Sequence, residues 1–198
     1  VNHYLETAHG GIEKAAALTG RLLAFARKQP LSPKSVQLDV LVRGMQTLLE
    51  HSVGPNIEIQ YQLHSHWHVL CDANQMENAI LNLVINARDA MPDGGDVTIS
   101  TADVSEDAHD GAASAIDHVR LRIADTGTGM SEDVRSRAMA PFFTTKPVGK
   151  GTGLGLSTIL GYVLQSNGQL DIDSKPGIGT TIDIVLPREV SSVSMEVT

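Results

Sequence analysis

The chain has 198 residues, 41% hydrophobic and 19% charged, the balance of an ordinary globular domain with room for a sizeable core. Its net charge of −8 speaks against a nucleic-acid partner, which calls for a basic patch, and its single cysteine, Cys71, excludes an internal disulfide and suits a reducing compartment. No apolar run nears the roughly 18–20 residues of a membrane span, and there is no signal peptide. A chain that begins with Val1 is expected to be part of a longer protein. The expected location is the cytoplasm, with membrane anchoring of the parent left open.

Residues 3–28 read as a helix. Leu5, Ala8, Ile12, Ala15, Thr19, Leu22 and Ala26 follow alternating three- and four-residue spacings, the seam of a helical bundle. Pro30 and Pro33 end it. Residues 36–38 read as a short strand, and Asp39 as the cap of a helix to about Ser52. Ile57–Tyr61 alternates as a strand, with Trp67–Cys71 as its expected hairpin partner. His64, His66 and His68 would then share one face. Three such imidazoles could bind zinc, but a solvated hairpin is the favoured reading. Asp72 is expected to cap a helix running to about Met91. Val97–Val104 and Val119–Ala124 read as strands around a polar loop that carries His109, with His118 beside it. Residues 127–151 show no long periodic run, the mark of a functional loop or lid. Thr152–Ser166 reads as a helix, Gly168–Ser174 and Thr180–Leu186 as strands, and the tail after Pro187 as linker. Three units follow: 1–30 (bundle helix), 34–188 (main domain) and 189–198 (tail).

Two stretches carry chemistry. The first runs from Asp125-Thr-Gly-Thr-Gly-Met130 through Pro141-Phe-Phe-Thr-Thr-Lys146 to Gly151-Thr-Gly-Leu-Gly155. A buried aspartate can accept a hydrogen bond from an adenine amino group. Glycines let backbone N–H groups approach phosphates, and a helix N-terminus behind them adds partial positive charge. Lys146 and Lys150 can screen a triphosphate. This is not a Walker loop, because Gly149-Lys150 is followed by Gly151 and Thr144 stands where the first glycine belongs. Nor is it a dinucleotide fingerprint, because Thr158 takes the place of the third glycine. The second stretch is the helix over 72–91. Asn78, Asn82 and Asn86 recur every four residues and share a stripe, while Ile80, Leu81, Leu83, Val84 and Ile85 are expected to face a core. Asparagine is a poor helix former, so the stripe points to a polar surface with a task. Its carbonyl oxygen is a hard ligand suited to Mg²⁺.

Taken together, these residues resemble the sensor histidine kinases. Asn82-Leu-Val-Ile-Asn86-Ala-Arg-Asp-Ala-Met is similar to their N box, Asp125-Thr-Gly-Thr-Gly-Met to G1 and Pro141-Phe-Phe-Thr-Thr-Lys to the F box. Gly151-Thr-Gly-Leu-Gly-Leu is similar to G2 and Gly177-Ile-Gly-Thr-Thr to G3. The likeness covers about residues 36–187, with all five boxes in order. It implies an α/β fold, a two-layer sandwich of a mixed sheet and helices with a long ATP lid, preceded by one bundle helix. It assigns Asn86 to Mg²⁺, Asp125 to the adenine amino group, and Gly127 and Gly129 to the adenine side. Lys146, Lys150, Gly151, Thr152, Gly153, Leu154 and Gly155 would form the lid hinge and phosphate contacts, with Thr180 helping to hold adenine. Phe142 and Phe143 would anchor the lid. Many members carry a basic residue three positions after the metal asparagine. Asp89 stands there in this chain, beside Arg88, and both are held as site candidates.

Asn82 separates subfamilies. Gyrase-like hydrolases place a water-activating glutamate there, and asparagine cannot act as a general base. Glu77 lies about 140° away around the helix and does not replace it. Transfer to a protein side chain is therefore favoured over hydrolysis. The resemblance implies ATP and Mg²⁺ as cofactors, a response-regulator receiver domain as partner, and a homodimer through the bundle. His3, His9 and His51 do not match the phosphoacceptor motif, so the chain is expected to bind ATP without phosphorylating itself. The alternatives are an ATP-hydrolysing clamp, a non-catalytic nucleotide-binding signalling module, and a serine kinase of the anti-sigma type.

Overall fold

The computed structural model describes residues 31–105, 117–147 and 151–190. The expected bundle helix over 3–28, Lys150, His109 and the tail beyond residue 190 lie outside them.

The described chain runs β1 (Lys34–Gln37), α1 (Leu38–Val53), β2 (Ile57–Leu63), β3 (His68–Cys71), α2 (Ala73–Asp89), β4 (Gly95–Val104) and β5 (His118–Asp125). It continues through α3 (Glu132–Arg137), α4 (Gly155–Gln165), β6 (Gln169–Lys175) and β7 (Gly179–Pro187). Five strands form one sheet in the order β2-β4-β5-β7-β6, parallel between β2 and β4 and antiparallel elsewhere. β1 and β3 form a separate antiparallel pair.

Strand alternation builds the core. Val97, Ile99, Val119, Leu121, Ile123, Ile182, Ile184 and Leu186 are buried, and each lies two residues from the next on its strand. Helical spacing supplies the other layer: Leu38, Val42, Met45 and Leu49 from α1, Met76, Ile80, Leu83 and Val84 from α2, and Ile159 and Val163 from α4. The sheet's other face is polar. There Arg122 and Asp183 stand opposite each other on β5 and β7, joined by two bonds of 2.7 and 2.6 Å. The α/β two-layer reading therefore holds.

Five local expectations change. Trp67–Cys71 is not the hairpin partner of β2; β3 pairs with β1, and α2 carries the chain over to lay β4 parallel to β2. Alternation identifies a strand but not its neighbour. The intervening turn is pulled aside by two carboxylates: Asp103 accepts from Ser65 Oγ at 2.6 Å and from His66 N at 3.1 Å, and Asp39 from Ser65 N at 3.3 Å. His64 and His66 consequently sit in that turn while His68 opens β3, so the three do not share a strand face. No metal-binding group of three or more His, Cys, Asp or Glu occurs among the described residues.

Asp39 does not cap α1. The N-cap is Gln37, and buried Asp39 instead receives the Thr101 hydroxyl and the Ser65 amide. The lid segment contains the short helix α3, which is too brief to show a period. It is capped by Ser131 and tied by Arg135 Nη1 to the Ile172 carbonyl at 3.2 Å. Finally, the expected tail does not begin at residue 189, since Glu189 N donates to the His68 carbonyl at 2.7 Å, next to Arg188. Arg188 bridges to Val69, pairs with Asp117 at 2.8 Å and lies 4.3 Å over the Trp67 ring. Asp72 caps α2 as expected, accepting from Gln75 N at 3.2 Å, and Cys71 is buried.

Candidate functional site

A cavity of about 440 Å³ lies between α2, the sheet and the segment after β5. Asn82, Asn86 and Asp89 line it from α2, Asp125 and Thr180 from strand ends, and Lys146, Gly151, Thr152, Gly153 and Gly155 from the later loop. Gly127, Gly129, Leu154 and Arg88 do not line it, and Asn78 is exposed outside it.

The Asp125 end is built by backbone donors. Register pairs Asp125 with Thr180 across β5 and β7. Asp125 Oδ1 accepts from Gly127 N at 2.9 Å and Thr180 N at 3.2 Å. Oδ2 has no protein partner among the described residues, although the side chain lines the cavity. Burial pushes this carboxyl above its ordinary range, and the two amide bonds only partly offset the push. The turn that follows is clamped on both sides: Thr128 N donates to Ala90 O at 3.0 Å, and Gly177 N donates to Thr128 O at 2.8 Å. Gly129 is required there. Its φ is +64°, and a Cβ would run into the Lys175 carbonyl.

Ser174, which the sequence reading missed, joins these parts. Its hydroxyl accepts from Met130 N at 2.8 Å, donates to Gly179 O at 3.1 Å and lies 2.9 Å from Thr180 Oγ1. It reads as an ordinary polar residue of an alternating strand, so no sequence signal marks it.

The opposite end is charged. Lys146 Nζ reaches Asp89 Oδ2 at 2.6 Å and Asn86 Oδ1 at 3.2 Å. Arg88 grips the other oxygen, Asp89 Oδ1, through Nε at 3.1 Å and Nη2 at 2.8 Å, while its Nη1 bonds the Ser52 carbonyl at 2.9 Å. Burial alone would raise the Asp89 carboxyl, but bonds from Lys146 and Arg88 outweigh it and hold the group below its usual range. Two hard oxygens converging on one cation form a donor set that suits Mg²⁺.

The loop between carries its own anchors. Phe142 has a φ of +66°, and its N–H donates to Gly153 O at 2.7 Å. Gly153, at φ +63°, lies so close to the Phe142 backbone that a Cβ could not fit. The Arg137 guanidinium stacks 4.5 Å over the Phe143 ring. Leu154 is buried at the N-cap of α4, and the Gly155 Cα side faces Asn86 Nδ2.

Residues 71–190 match the family model described as histidine kinase-, DNA gyrase B- and HSP90-like ATPase. The chain belongs to this ATPase family. Within it, these residues form the ATP-binding catalytic domain of the sensor histidine kinases, as the relatives show. The sensor kinase CckA of Brucella abortus (strain 2308) is 43% identical over 181 residues, covering 88% of this chain and 19% of that protein. The mycobacterial sensor histidine kinase MprB matches in structure with a TM-score of 0.59 and 28% identity, over 80% of this chain and 98% of that one. Full-length ShkA in complex with AMPPNP matches with a TM-score of 0.69 and 25% identity, over 96% of this chain and 39% of that one. The chain spans about a fifth to two fifths of the length of the first curated relatives, 19% for CckA and 42% for sporulation kinase C of Bacillus subtilis.

Acid should test the expectation that Asp125 receives an adenine amino group. A carboxyl whose folded-state value is raised favours folding in its protonated form. That contribution is complete below the unfolded value and is lost as pH rises through the folded one. Nucleotide affinity runs the other way, because an amino donor needs the ionised acceptor. Affinity for an ATP analogue is therefore expected to fall on acidification, starting above the ordinary aspartate value of about 3.9. Displacement of a fluorescent nucleotide across the acid range, with circular dichroism to confirm folding, measures it.

Proposed function

We propose that this chain binds Mg²⁺·ATP in the 440 Å³ cavity and hands the γ-phosphate to a histidine on a bundle helix. The observation that carries the reading is Asp125: a half-buried carboxylate with one oxygen filled by Gly127 and Thr180 and the other open to the cavity. Adenine offers its 6-amino group to such an acceptor, whereas guanine carries at that same ring position a carbonyl oxygen that the carboxylate repels. Thr180, fixed by Ser174, supports the same edge. At the far end Asn86 would hold Mg²⁺, which when bound neutralises phosphate charge. Lys146 and the backbone of Gly151, Thr152 and Gly153 would face the phosphates. Lys150 is expected to add a further phosphate contact.

Phosphoryl transfer needs positioning and charge stabilisation more than a protein base. That suits a cavity whose only lining carboxylates, among the described residues, are Asp89 and Asp125. Asp125 serves the adenine end, and Asp89 is held by Lys146 and Arg88. Asn82 lines the cavity, and the resemblance puts the water-activating glutamate of the hydrolases at this position. Transfer to a protein histidine is thus favoured over hydrolysis. The histidine would reside on a bundle domain that also dimerises the parent protein. The phosphate would pass to the aspartate of a response-regulator receiver domain, in the cytoplasm where ATP is available. No described helix is long and apolar enough to cross a membrane.

The experiment supplies the acceptor in trans. The chain, radiolabelled ATP and Mg²⁺ are mixed with a separately produced bundle domain that carries its histidine. Acid-labile phosphate is expected on the bundle and not on this chain. Steady release of inorganic phosphate with an unlabelled bundle would contradict the reading in favour of a hydrolase.

A further inference from the structure

The contact between Lys146 and α2 crosses the cavity at the point where the metal reading puts Mg²⁺. Asn86 and Asp89 are three residues apart on one helix and so present the same face. Their oxygens already share a cation, the Lys146 ammonium, at 3.2 and 2.6 Å. Asp89 is not free to turn elsewhere. Arg88 grips Oδ1 twice and is itself anchored to the Ser52 carbonyl of α1, which leaves Oδ2 as the oxygen turned to the cation. Asp89 also stands where the resemblance leads one to expect a basic residue, so the metal assignment of Asn86 gives it no role.

We propose that Asp89 is a second protein ligand of the divalent cation beside Asn86, and that the Lys146 ammonium holds their two oxygens until Mg²⁺·nucleotide replaces it. This rests on the ATP reading above. Mg²⁺ commonly takes one or two carboxylates together with phosphate oxygens and waters, and a lone amide oxygen is a weak seat for it. In the exchange the divalent ion takes over the carboxylate, and the displaced ammonium is freed toward the incoming phosphates. Arg88 is then a positioning residue, fixing which oxygen of Asp89 the metal meets. The competing reading is a plain ion pair between Asp89 and Lys146 that closes the loop and has no part in metal binding.

Mn²⁺ separates the two. Electron paramagnetic resonance measures Mn²⁺ affinity for the protein saturated with a non-hydrolysable ATP analogue. A parallel titration with the analogue in EDTA measures metal-free nucleotide affinity. Asp89→Asn is nearly isosteric on a part-exposed side chain, so folding is retained and thermal unfolding checks it. Expected are a loss of about tenfold or more in Mn²⁺ affinity and no loss of nucleotide affinity in EDTA. Lys146→Met is expected to leave Mn²⁺ affinity equal to or above wild type, because a competitor is gone. Mn²⁺ affinity of Asp89→Asn within twofold of wild type, or an equal fall in EDTA, would overturn the ligand role. Failure of the folded wild type to bind the analogue at all would instead overturn the ATP reading on which it rests.

Discussion

Asp125→Asn is expected to weaken binding of an ATP analogue about 100-fold while leaving the nucleotide-free domain no less stable. The asparagine carbonyl can still receive the Gly127 and Thr180 amides that Oδ1 receives now at 2.9 and 3.2 Å. Its amide nitrogen then takes the place of Oδ2 and confronts the adenine amino group, donor against donor. Neither group can be satisfied in a water-poor cavity, which is why the loss is large. The domain itself sheds a carboxylate that burial already disfavours. Displacement of a fluorescent nucleotide gives the affinity and urea unfolding the stability. An affinity within a few-fold of wild type would remove Asp125 from adenine recognition. A large fall in stability would assign it a structural role instead.

The second large effect concerns two glycines with the same backbone need and different surroundings. Gly129 and Gly177 have φ values of +64° and +74°. An alanine at either carries the left-handed penalty of about 1–2 kcal/mol. At Gly177 the new Cβ meets nothing within 4 Å. At Gly129 it meets the Lys175 carbonyl, a backbone atom that cannot rotate aside. Gly177→Ala should therefore cost about 1 kcal/mol and leave nucleotide binding intact. Gly129→Ala should cost more and also lower nucleotide affinity at least about tenfold, because the turn carrying Gly127 must move off Asp125. Urea unfolding with nucleotide displacement on both variants checks this. Equal costs would show that the junction between this turn and β6–β7 is looser than the contacts imply.

The parts legible in the sequence were those written in short range. Asparagines four apart on α2, an aspartate on a two-glycine turn and glycines before an apolar helix each declare themselves within a few residues. Five boxes in order, these among them, carried the family and the two-layer fold. What stayed hidden depends on distant partners. Nothing local says that β3 turns to β1, or that β2 waits for β4 beyond α2. Asp39 carries the same signal as a helix cap, yet its partners are Ser65 and Thr101. Ser174 works through Met130, 44 residues away. Asp89 reads as a departure from the family pattern until Lys146, 57 residues on, is seen against it. The bundle seam over 3–28 and the role of Lys150 rest on the sequence, since both lie outside the described residues.

The most direct test of the central claim is a calorimetric titration of the chain with a non-hydrolysable ATP analogue, with and without Mg²⁺. The account predicts one nucleotide per chain, bound more tightly with Mg²⁺ and displaced by ADP but not by GTP. A folded chain that releases no heat of binding under either condition would contradict it, and with it every alternative that requires nucleotide.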